Sequence, residues 1–208
     1  AANMLLKEAV AQTDTLMDSG KFDIVKGTDT GCDQLPYANY PLYYSNQFTQ
    51  EDLSTNKECI LARFYETGVL THELGRQAQN GGMGLSKDFI ESFLMKDGTP
   101  IYNTGSGYAG DNDLEQEITN RDPRLYQIVD NSHKPYYVRN GERIANEPAN
   151  RVGSSKSVTG YDCVKFHHAN TVQQEARNST FDWFVYRYAE VLLINAEANA
   201  ELNSCTQA

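Results

Sequence analysis

The chain has 208 residues, 39% of them hydrophobic, with 13 tyrosines, 15 glycines and a formal net charge of −10. That length fits one domain of ordinary size or part of a larger one. The acidic balance, with no run of Lys or Arg to offset it, argues against a nucleic-acid partner, and no stretch of about 18 apolar residues is present to span a bilayer.

The first residues read as an amphipathic helix. Ala2, Leu5, Leu6, Ala9, Thr13 and Leu16 recur at helical spacing, and Gly20 follows Ser19 where a left-handed residue ends a helix. No capping residue precedes this helix, and Ala208 comes soon after another long helix. The sequence therefore reads as part of a longer protein, truncated at both ends. Lys21 to Val25 reads as extended. Residues 27–56, rich in Gly, Asp, Asn, Pro and Tyr and broken by Pro36 and Pro41, read as irregular.

Cys59 to Tyr65 is a short apolar run of strand character, followed by a loop ending in Asn80-Gly81-Gly82-Met83-Gly84. Ser86 is placed to cap a helix whose first turn holds Asp88 and whose apolar face is Phe89, Ile90, Phe93 and Leu94. Asp97-Gly98 reads as a turn. Asp122-Pro123 predicts an N-cap and first helical position, with Leu125, Ile128 and Val129 as the apolar face. Asn140-Gly141 predicts a hairpin within Tyr136 to Ile144, and Gly160 to His167 alternates like a strand.

The last helix is predicted from about Phe181 to Asn203, with Trp183 at its start as a core residue. Val191 to Ile194 is apolar for longer than one turn, so more than one face calls for cover. Ala189, Ala196, Ala198 and Ala200 allow a neighbouring helix to approach closely. Helices thus open and close the chain around a loop-rich middle, an arrangement that suits recognition by loops held on a rigid frame.

The segment Arg187-Tyr188-Ala189-Glu190-Val191-Leu192-Leu193 with Ala196-Glu197-Ala198 resembles the C-terminal signature helix of the SusD/RagB family, surface nutrient-binding lipoproteins of Bacteroidetes. Further landmarks follow in the family's order. They are Ser19-Gly20-Lys21-Phe22; Asn56-Lys57-Glu58-Cys59-Ile60-Leu61; the glycine loop and helix Gly81 to Phe93; Asp97-Gly98-Thr99-Pro100-Ile101; Asn120-Arg121-Asp122-Pro123-Arg124-Leu125; and Thr159-Gly160-Tyr161 with Lys165-Phe166. They cover Asn3 to Leu202. Cys59, Cys163 and Asn195 depart from the usual residues at their positions.

The resemblance implies a mainly α fold: a tetratricopeptide-like helical frame (an α-α superhelix) with a loop-rich part containing a few short strands, residues 1–208 being part of one such domain. It implies capture of oligosaccharide, polysaccharide or sometimes peptide at the outer membrane, by a surface-exposed, lipid-anchored protein. It further implies delivery to a TonB-dependent, SusC-like transporter, no catalytic chemistry and no cofactor. Two rivals remain. A glycoside hydrolase needs two carboxylates about 5 Å or about 6.5–9.5 Å apart across a cleft. A helical-repeat scaffold would bind only protein.

Sugar recognition calls for aromatic faces with polar neighbours. The candidates are the tyrosine cluster Tyr37, Tyr40, Tyr43 and Tyr44 and the polar loop His72, Arg76, Gln77 and Asn80, with packing of irregular segments as the bland alternative for the tyrosines. Arg121 and Arg124 could clamp an anion, but anchoring of the irregular middle to carboxylates on neighbouring helices is the weightier reading. Gly81, Gly82 and Gly84 lack a phosphate-loop pattern. His72-Glu73 and His167-His168 lack the spacing of a helical metal site. Asp111-Asn112-Asp113 is the one candidate for a structural calcium ion, without the Gly and distal Glu of a calcium loop. The four cysteines, Cys32, Cys59, Cys163 and Cys205, allow three full pairings or none.

Overall fold

A computed structural model describes residues 2–26, 43–79, 83–131, 137–139, 142–144, 157–168 and 170–203. In chain order its elements are α1 (Ala2–Asp18), α2 (Tyr43–Asn46), β1 (Cys59–Arg63), α3 (Leu74–Gln79), α4 (Lys87–Ser92), α5 (Leu114–Glu117), α6 (Leu125–Ile128), β2 (Tyr137–Arg139), β3 (Glu142–Ile144), β4 (Trp183–Arg187) and α7 (Tyr188–Asn203). Short 3-10 turns at Gln47–Thr49 and Thr171–Gln174 link them. The architecture is helical with two small antiparallel strand pairs, β1 with β4 and β2 with β3.

The two long helices, α1 and α7, pack on each other. The buried side of α1 is built from Leu6, Ala9, Val10, Thr13, Leu16 and Met17, and Gly20 at φ +63° ends it as its neighbours predict. Leu5 lies on the exposed side, because α7 covers only one flank of the helix. On α7, Tyr188, Val191 and Ala198 are buried, the alanine giving the close approach expected of it. Leu193 is 70% exposed, however, so α7 is covered on one flank and not on most of its surface. Asn195 bridges the pair: its Nδ2 donates to Thr13 Oγ1 and Asp14 Oδ1, both at 2.8 Å.

The last helix starts at Tyr188 rather than near Phe181. Trp183-Phe184-Val185-Tyr186 is aromatic and β-branched, which favours an extended backbone, and β1 is there to pair with it. The register is Cys59 with Arg187, Leu61 with Tyr186, Ala62 with Phe184 and Arg63 with Trp183, shifted on either side of Leu61. Trp183 is therefore a strand residue, 42% exposed, and not part of a helical core.

The middle of the chain folds around Ile90, Leu114, Ile118, Leu125 and Val129, with Leu85, Phe93, Tyr126 and Tyr161 against them. Ser86 caps α4 as expected, its side chain accepting from Phe89 N at 3.2 Å. α6 begins at Leu125, two positions after Pro123. Asp122 accepts instead from Arg124 N at 2.9 Å, so the Asp-Pro pair forms a turn ahead of the helix. Gly160 to His167 does not form a strand: Asp162 bridges Gly84 and Cys163 bridges Val129 singly. β2 and β3 pair antiparallel, as the expected hairpin requires, while Asn140 and Gly141 themselves lie outside the described residues. Gly75 leaves no room for a side chain, since a Cβ there would meet Gln173 O at 2.3 Å.

Candidate functional site

A cavity of about 320 Å³ opens where β4 meets the segment at residues 165–166. Phe48 is at its base. The ring of Phe48 is edge-on to Tyr44, Phe166 and Phe184, with centroids 5.3, 6.1 and 5.8 Å away. Trp183 stacks on Phe166 at 5.2 Å with 23° between the planes. Asp182, Val185 and Glu190 complete the wall. β-strand geometry brings this about, because β4 presents Trp183 and its neighbours beside the Lys165-Phe166 segment and then turns directly into α7.

Two cations enter this aromatic box. Lys165 Nζ is 3.9 Å from the centroid of Phe48, 5.4 Å from that of Phe166 and 5.8 Å from that of Tyr44. Arg187 Cζ is 5.3 Å from Phe48. Burial, reinforced by the nearby Arg187 charge, pushes the Lys165 ammonium below its ordinary pKa. Arg187 is ion-paired with Glu58, which is 1% exposed and also accepts from Val25 N at 3.1 Å through its other oxygen. Asp182 is buried, and its two oxygens accept from Leu53 N and Tyr65 N, both at 3.0 Å. Such a site offers aromatic surface to the face of a ring and positive charge to its polar substituents.

Of the residues singled out by sequence, Tyr37, Tyr40 and Asn80 lie outside the described residues. Tyr43 opens α2. Tyr44 is half-buried against Phe48 and lines a second, shallower depression of about 390 Å³ with Phe89, Phe93, Asp122 and Arg124. His72 is wedged edge-on between Tyr65 and Phe181, at 4.6 and 4.5 Å. Its Nδ1 accepts from Leu74 N at 3.2 Å, so Nε2 carries the proton and donates to Phe181 O at 3.0 Å. Burial pushes its pKa down. Arg76 sits 3.8 Å from Glu73 on the surface, and Gln77 is likewise exposed; neither lines the cavity.

Arg121 is 3% exposed and serves structure, though through carbonyls and not through the carboxylates expected. It donates to Ile90 O and Phe93 O at 2.8 Å and to Glu117 O at 3.2 Å. Arg124 is paired with its neighbour Asp122. Asp111 is paired with Lys87, and Asp113 caps α5 by accepting from Gln116 N at 2.8 Å. Cys59 is a free thiol, whereas Cys32 and Cys205 lie outside the described residues. Lys165, Phe166, Trp183 and Arg187, which line the cavity, are not among the residues singled out by sequence for binding. The visible signal was a cation beside an aromatic residue at both places.

The model of the SusD family matches residues 38–208. The chain belongs to the SusD family. Among solved structures it is similar to a SusD-like protein from Bacteroides fragilis NCTC 9343, with a TM-score of 0.66 and 19% identity over 97% of this chain and 41% of that one. The chain thus spans less than half the length of that SusD-like protein, and at this identity the likeness speaks for the fold alone. No curated protein matches. No helix among the described residues is long and apolar enough to cross a membrane.

Proposed function

We propose that the chain is part of a surface nutrient-binding protein that captures extracellular glycan, or peptide in a related use, and passes it to a TonB-dependent, SusC-like transporter. Membership of the SusD family over residues 38–208 carries this reading. The aromatic cavity at Phe48, Phe166 and Trp183 supplies the matching chemistry, a wall on which a sugar ring can stack. In this reading α1 and α7 are one layer of a tetratricopeptide-like frame. The complete protein sits lipid-anchored on the outer membrane, and binding involves neither a cofactor nor a catalytic step. Asp182, held by two backbone amides, is suited to fix the cavity wall and not to shuttle a proton. Of the tyrosines and polar-loop residues, Tyr44 contributes most directly, through Phe48.

A calorimetric screen of the complete protein beside this chain, against neutral and acidic oligosaccharides and short peptides, tests the reading. Saturable binding of an oligosaccharide or peptide is the expected result, weakened at least tenfold by Phe166→Ala or Trp183→Ala if the cavity is the site. Binding of neither class would overturn capture. Turnover of glycan would move the protein to the hydrolases.

A further inference from the structure

Only one of the two cations at the aromatic cavity is neutralised. Arg187 has Glu58 as its partner. Lys165 has none: no carboxylate among the described residues lies within ion-pair range of its Nζ, which rests on aromatic rings. Such contacts return part of the hydration an ammonium loses on burial, but they supply no counter-ion. The two carboxylates that share the cavity do not fill the gap. Asp182 is turned toward the amides of Leu53 and Tyr65, and Glu190 is exposed in the first turn of α7.

Trp183 adds a directional element. It stacks on Phe166 and is nonetheless 42% exposed, so part of the indole remains open beside the unneutralised ammonium. An apolar platform next to one spare positive charge fits a ring that carries one negative charge.

We propose that this cavity selects a sugar bearing a carboxylate, a uronic acid, with its ring against Trp183 and its carboxylate on Lys165 beside Arg187. The inference rests on the glycan-capture reading and narrows it to acidic glycans. The carboxylate supplies the charge that Lys165 lacks, and the guanidinium of Arg187, already oriented by Glu58, strengthens the local positive potential.

Trp183 is the only tryptophan of the 208 residues, so its fluorescence reports on this cavity directly. The test is to titrate the full chain with oligogalacturonate and oligoglucuronate trimers and with the same trimers as methyl esters, which keep the rings and remove the charge. The expected result is a saturable emission change at about tenfold lower concentration for an acid than for its ester. Lys165→Met should abolish that preference and Lys165→Arg should retain it. Equal titration by acid and ester, no emission change with any trimer, or a preference that survives Lys165→Met overturns the proposal. If Lys165→Met loses the parent's melting transition, the acid–ester comparison on the parent chain decides alone. Calorimetric binding of neutral glycans without change at Trp183 would remove this inference and leave glycan capture standing; no binding of any glycan would remove both.

Discussion

A guanidinium presents five N–H groups in a rigid plane, and Arg121 directs its plane at backbone carbonyls. Two of these, on Ile90 and Phe93, lie at the end of α4, where a helix leaves carbonyls without intrahelical donors. Replacing Arg121 by Met keeps the apolar stem but removes its bonds to these carbonyls, leaving Ile90 O only the long contact from Phe93 N at 3.4 Å. The expected loss of unfolding free energy is about 2–4 kcal/mol, read as a lower urea midpoint at unchanged slope. Arg121→Lys should recover little of it, because one ammonium cannot span three carbonyls.

His168 supplies the prediction for acid. Its Nδ1 accepts from Asn170 N at 2.9 Å, which requires the neutral ring, and burial pushes its pKa down from 6.5 to about 4. The unfolded chain therefore takes up a proton that the folded chain resists. His168 stability is present above pH 6.5 and is lost as pH falls toward 4, by on the order of 3 kcal/mol in all. Glu117 and Asp182 act with the opposite sign, because burial raises their carboxyl pKa values and protonation relieves the folded state. The test is thus a difference: His168→Gln should flatten the decline in stability between pH 6.5 and 4 relative to the parent, measured by urea unfolding across that range.

Among elements, the contact between α1 and α7 is the most open to experiment. Asn195 ties the two helices together, its one amide group donating to both Thr13 and Asp14 on the facing helix. Asn195→Leu should lower the melting temperature, corresponding to roughly 1–2 kcal/mol, and Thr13→Val in the same background should add less than it does alone. The boundary between β4 and α7 shows how element identity can mislead. Helical periodicity could be extended back to Phe181, but pairing with β1 decides where the helix begins. That partner is more than a hundred residues away in sequence, which no local pattern reveals.

At the scale of the molecule, legibility followed sequence specificity. The helix exit at Gly20 and the cap at Ser86 were readable because single residues dictate local backbone there. The family was readable because ordered landmarks, several of them structural, survive in the sequence: Glu58 binds Arg187, and Arg121 closes α4. The cavity was less legible. Lys165, Trp183 and Phe48 come from three separate stretches, and only folding places them together.

The junction of β4 and α7 has a mechanical meaning. Arg187 is the last strand residue and Tyr188 the first helical one, so there is no slack between them. A helix of 16 residues is about 24 Å long. A tilt of roughly 5° at Trp183's strand would sweep the far end of α7 through about 2 Å, carrying α1 with it through Asn195. The cavity wall is the short arm of a lever whose long arm is the pair α1 and α7.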